Sequence, residues 1–150
     1  MSGGEPQEHI QWREALLWLA KARADIRGAR TLLADNQPEL AAFLVQQALE
    51  KTLKGLLVAA AQDVRRTHDI EALATLARIH WPDLLPSSFP LAAVGQWYVT
   101  TRYPGLDTAL PASAEVTEAL EAVAAFTAAA QRLSPLDAAE RDGSAEHTNR

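Results

Sequence analysis

The side chains in this sequence that could do chemistry fall in three places. Lys51 and Lys54 lie in "AFLVQQALEKTLKGLLVAA", Arg65, Arg66, His68 and Asp69 lie in "RRTHD", and Arg102 and Tyr103 lie in "TTRYPG". Two lysines a turn apart, arginines just before a helix start and an arginine at a helix end share one chemistry, the holding of an anion. His68 adds a group that can serve as a hydrogen-bonder or as a catalyst. Each also has a structural reading. The lysines can line a packing face, His68 can hydrogen-bond at a helix start, Arg102 can cap carbonyls and Tyr103 can pack.

Other chemistries find no support. The chain has neither GxxxxGK[ST] nor GxGxxG, so no phosphate loop of a known kind. His9, His68, His80 and His147 form no HxxxH or HExxH spacing, no paired ExxH motifs occur, and there is no cysteine, so neither a metal nor a cofactor is expected. The net charge is −5, but it is uneven. Residues 11 to 66 carry +3 and the remainder −8. An acidic total argues against a broad grip on nucleic acid, while leaving room for a local basic patch.

The elements that must position these groups read as helices. Nearly half of the residues are hydrophobic, Ala and Leu dominate, and no stretch alternates with period two, which predicts an all-α fold in one domain. The organising stretch is Ala42 to Ala60. Ala41, Val45, Ala48, Leu49, Thr52, Leu53, Leu56 and Leu57 fall on one broad apolar arc. Gln46, Gln47, Glu50, Lys51 and Lys54 crowd the rest, with Phe43, Leu44 and Val58 among them. Such a helix is expected at the centre of a bundle, its second face meeting another helix or another subunit.

A first helix is expected from about His9 to Ala34, with Trp12, Leu16, Leu19, Arg23, Ile26, Ala29 and Leu33 on its stripe, one of them charged, and Trp18, Lys21, Arg27 and Arg30 mostly off it. Pro38 suits the first position of the second helix, and the short connection makes the two antiparallel neighbours. Thr67 is the expected N-cap of a third helix, with Asp69 and Glu71 in its first turn. A short fourth helix runs from about Phe89 to Thr101, and a fifth from Pro111 or Ser113 to about Leu133. Residues 1–8 read as flexible and 134–150 as a disordered tail, leaving 9–133 as the bundle. No apolar run is long enough to span a membrane and no signal peptide is visible, so the cytoplasm is the default location.

Trp18, Ala22, Asp25 and Ala29 on the first helix, then "FLVQQALEKTLKGLL", "RRTHDIEAL" and "TTRYPG", resemble the HEPN domain over roughly residues 12 to 133. More narrowly, they resemble its prokaryotic branch often encoded beside a minimal nucleotidyltransferase. The resemblance implies an up-and-down bundle of four or five helices, usually a homodimer, in toxin–antitoxin, defence or RNA-processing systems. Catalytic members carry Arg-x(4–6)-His near the start of a late helix. Here no His follows Arg102 within that window, and the one string that fits, Arg141 to His147, lies in the expected tail. The adenylylatable Arg-x(4)-His-x-Tyr motif is absent too.

The chain is therefore expected to be a non-catalytic HEPN protein that binds a nucleotide or partners a nucleotidyltransferase. The anion-facing candidates are Lys51, Lys54, Arg65, Arg66, His68, Arg102 and Tyr103, with Tyr98 or Tyr103 available to stack on a base. Phe43, Gln47 and Glu50 are the candidates for a dimer or partner interface. Two alternatives stand beside this: a dimeric adaptor without ligand, and a metal-independent endoribonuclease using a substitute pair such as His68 with Arg65 or Arg102.

Overall fold

The computed structural model describes residues 4–64, 66–101, 103–104 and 110–136. Five helices follow one another: α1 (Gln7–Ala34), α2 (Pro38–Ala59), α3 (Ile70–His80), α4 (Leu91–Thr100) and α5 (Ser113–Arg132). Among the described residues there is no strand, and no helix is long and apolar enough to cross a membrane.

α2 is the hub, as its two-sided composition predicts. It packs against all four other helices, most extensively against α1. All eight residues of its apolar arc are buried, with Val45, Leu49, Leu53, Leu56 and Leu57 fully inaccessible. Each such leucine contributes roughly 2 kcal/mol of transfer free energy. α5 closes the second side of the hub with Val116, Leu120, Val123 and Phe126. There the Thr52 and Thr127 hydroxyls meet at 2.8 Å, so the one polar arc member is satisfied inside the core. Phe126 in turn takes Phe89 edge-on at 5.8 Å.

The α1–α2 connection is set by helix-end chemistry. Asn36 adopts a left-handed φ of 55°, the Gln37 N–H donates to the Leu32 carbonyl at 2.8 Å and the Asn36 N–H to Leu33 at 3.1 Å. These are the paired bonds of a Schellman end, and Pro38 then opens α2. α2 ends the same way, with Gln62 bonded to Leu57 and Ala61 to Val58, but the left-handed residue is Ala61 at φ 61°. Alanine pays a steric penalty there that glycine does not. Ala61→Gly is therefore expected to stabilise the protein by about 1 kcal/mol, raising the melting temperature by about 2–4 °C in a calorimetric scan.

Two local expectations need correction. The N-cap of α3 is Asp69, not Thr67: its Oδ1 accepts from the Glu71 N–H at 3.0 Å and the Ala72 N–H at 3.2 Å. His68 thus stands just before the helix rather than in its first turn. After α5, Ser134 and Leu136 are buried, with the Leu136 N–H donating to the Ser134 hydroxyl. The packed chain therefore runs past Leu133, because one more leucine reaches the core. The remainder of the expected tail, including Arg141 and His147, lies outside the described residues.

Candidate functional site

Gln46, Glu50 and Lys54 follow one another at four-residue steps, so α2 stacks them in a single file. The file does not face water. Gln46 is fully buried, Glu50 is 6% exposed and Lys54 3%. Glu50 is the junction. Its Oε2 lies 3.7 Å from the Lys54 ammonium and its Oε1 3.0 Å from Nδ1 of His68. The Lys54 ammonium also sits 5.8 Å from the centre of the Trp18 ring, in cation–π range. A carboxylate only accepts, so Nδ1 of His68 donates to Glu50 and Nε2 is the ring nitrogen left for other chemistry.

His68 carries the buried pair to the surface. Its side chain is 57% exposed although its inner nitrogen is tied to a nearly inaccessible carboxylate. The Tyr98 ring on α4 lies nearly parallel to the imidazole, 15° between planes and 6.4 Å between centres. The Glu50 anchor fixes one ring of this pair, and α4 carries the other.

The expected site residues are not all brought together. Glu50, Lys54 and His68 converge, with Tyr98 beside them. Lys51 turns toward α1 and bonds to Asp25 at 2.6 Å. Arg66 and Tyr103 are exposed, and Arg65 and Arg102 lie outside the described residues. Both lysines expected to meet an anion thus have a carboxylate of the fold beside them. Glu50, expected at a subunit interface, is instead inside the bundle, whereas Phe43 and Gln47 are half-buried at its margin. Gln47 Nε2 donates to the side-chain Oε1 of Gln46 at 2.7 Å, and Gln46 Nε2 is buried without a hydrogen-bond partner among the described residues.

Two contributors were visible in the sequence only as parts of a pattern. Trp18 and Asp25, seven residues apart on α1, supply the ring over Lys54 and the carboxylate for Lys51. Their spacing places them on one helix face, two turns apart, which is the signal that could have paired them with two lysines on an antiparallel neighbour. Among the described residues, no three His, Asp or Glu side chains gather as a metal ion would require.

The family model described as HEPN domain matches residues 15–133. That span runs from the middle of α1 to the end of α5 and contains the whole of the Glu50 cluster. No curated protein and no solved structure matches the chain.

Proposed function

The chain belongs to the HEPN domain family, and from that premise we propose that it is a binding module that takes a nucleotide at the His68–Tyr98 slot. The observation that carries this reading is the exposed imidazole, held by buried Glu50 and set parallel to Tyr98. A base that enters between the two rings would stack on both. Arg66 is exposed near the same end of α2, and Arg65 and Arg102 are close to the site in sequence, so phosphate charge has cations to meet. The lysines serve differently from the sequence-based expectation. Lys54 balances the carboxylate that orients His68, and Lys51 joins α2 to α1. We further propose that the bound chain acts as a homodimer and as the partner of a minimal nucleotidyltransferase in a toxin–antitoxin or defence-type module.

Thermal melting tests the ligand. A nucleoside triphosphate at about 100 times its dissociation constant stabilises by about 2.7 kcal/mol, so a melting rise of several degrees is expected. Tyr98→Ala should abolish that rise while the unliganded protein still melts cooperatively. No rise with any of the common nucleotides would sink the reading. Native mass spectrometry of the complex purified from its own cells tests the partner, and a bare chain without a nucleotidyltransferase would count against it.

One observation favours a second reading. A histidine oriented by a buried carboxylate is also how a general base is positioned. If the protein is a metal-independent endoribonuclease, RNA cleavage in the presence of a chelator should be detectable and should vanish in His68→Ala.

A further inference from the structure

α1 and α5 line a second groove, of about 220 Å³, to which neither His68 nor Tyr98 contributes. Arg23, Arg27 and Arg30 of α1 line one wall, and Ala124, Ala128 and Gln131 of α5 line the other. The arginines recur at steps of four and three residues, so they share one narrow arc of the helix and spread over about 10 Å of its axis. We propose that this groove binds the phosphodiester backbone of a single nucleic-acid strand.

The charge in the groove is oriented but poorly compensated. Arg23 donates to the side-chain Oε1 of Gln131 at 2.6 Å, a neutral partner that fixes the guanidinium and leaves its charge intact. Arg30 has Glu121 at 3.5 Å, with side chains 50% and 64% exposed, a pairing worth little in water and readily exchanged. Arg27, between them, has no hydrogen-bond or ion-pair partner for its guanidinium among the described residues. Lys51 and Lys54 differ, since each has a carboxylate beside it in a drier setting.

Shape narrows the ligand. Three arginines spread along two turns cannot all meet one phosphate, but successive phosphates of a strand can meet them in turn. A groove of about 220 Å³ has room for part of one backbone and not for a duplex. The lining has no aromatic side chain, so nothing stacks on bases and recognition rests on charge rather than sequence. The small Ala124 and Ala128 let the chain approach closely. This site is separate from the proposed nucleotide slot and does not depend on it.

Fluorescence anisotropy with a labelled oligouridylate of about twelve nucleotides tests the proposal, with salt varied from about 20 to 200 mM. Three phosphate contacts predict a slope of log K against log salt near −2, at roughly −0.7 per phosphate. Arg27→Gln, an exposed change outside the core, should weaken binding several-fold and flatten the slope by about 0.7. The triple Arg23→Gln, Arg27→Gln, Arg30→Gln variant should abolish binding while the protein still melts cooperatively. Absence of binding at low salt, or wild-type affinity in Arg27→Gln and the triple variant, would overturn the proposal. So would displacement of the oligonucleotide by an equal concentration of tripolyphosphate, because the groove would then be a site for small anions.

Discussion

Glu50→Ala is expected to lower the stability of the folded chain by about 3 kcal/mol, seen as a fall of roughly 10 °C in melting temperature. The loss comes from what the substitution leaves behind. Lys54 is 3% exposed, and Glu50 is the carboxylate at its side. Removing that charge takes away a carboxylate 3.7 Å from an ammonium held inside the bundle, where a charge is costly to keep unbalanced. The same change takes away the Nδ1 partner of His68, so the imidazole loses its fixed orientation and nucleotide binding should fall with it. Glu50→Gln isolates the two effects. It keeps an acceptor for His68 but not the charge for Lys54, so more of the binding than of the stability should survive.

Urea denaturation with an unchanged m-value would attribute the loss to the native state. A loss under about 1 kcal/mol would place the pair with ordinary exposed ion pairs. Glu50→Lys would put two cations in one buried turn and unfold the chain, so it would not report on a subunit interface.

Much of the fold was legible because periodicity is a local property. Eight positions of the second helix, read as one apolar arc, are all buried, and the helix touches every other element. Its start at Pro38 followed from the ring's fixed φ. Errors arose where two residues competed for one role. Thr67 and Asp69 can both cap a helix, and only backbone geometry decides which oxygen reaches the free N–H groups. Leu136 looked isolated in a polar tail, since one apolar residue carries no period.

The site was legible as a set of residue types and not as a set of pairs. His68 and Glu50 are eighteen residues apart and meet through a turn whose path the sequence does not encode in any short motif. Lys51 and Lys54 looked like anion ligands because their partners, Asp25 and Glu50, were assigned to other faces or other roles. Which carboxylate reaches which lysine depends on the register of α1 against α2, a tertiary quantity. The same holds for Arg23, Arg27 and Arg30. Each was countable as a charge, but the alanines of α5 that open a groove beside them become neighbours only on packing.

That register depends on Gly55, and Gly55→Leu is expected to cost about 3 kcal/mol or more, at the upper end for an overpacked contact. A Cβ at this position would lie 3.1 Å from the Ala15 carbonyl oxygen, 3.1 Å from Trp18 Cβ and 3.3 Å from Leu19 Cδ2. The first of these is backbone inside a long helix and cannot swing aside. Alanine would gain about 1 kcal/mol of helix propensity and lose about as much to the contact, so Gly55→Ala should be close to neutral or mildly destabilising. Leucine adds three more carbons with nowhere to go except between the helices. Separating them there moves Trp18 from Lys54, so the damage should extend beyond stability to the Glu50 cluster. Gly28 is the internal comparison. Its Cβ would meet Leu44 Cδ1 at 2.9 Å, the far end of a flexible side chain that can rotate away. Thermal melts with tryptophan emission should therefore rank Gly28→Ala near wild type and Gly55→Leu far below, with red-shifted emission as Trp18 becomes wetter. Equal melting temperatures for the two would mean that α1 can shift without cost, and the fixed placement of Trp18 over Lys54 would no longer explain how a charged pair is kept inside the bundle.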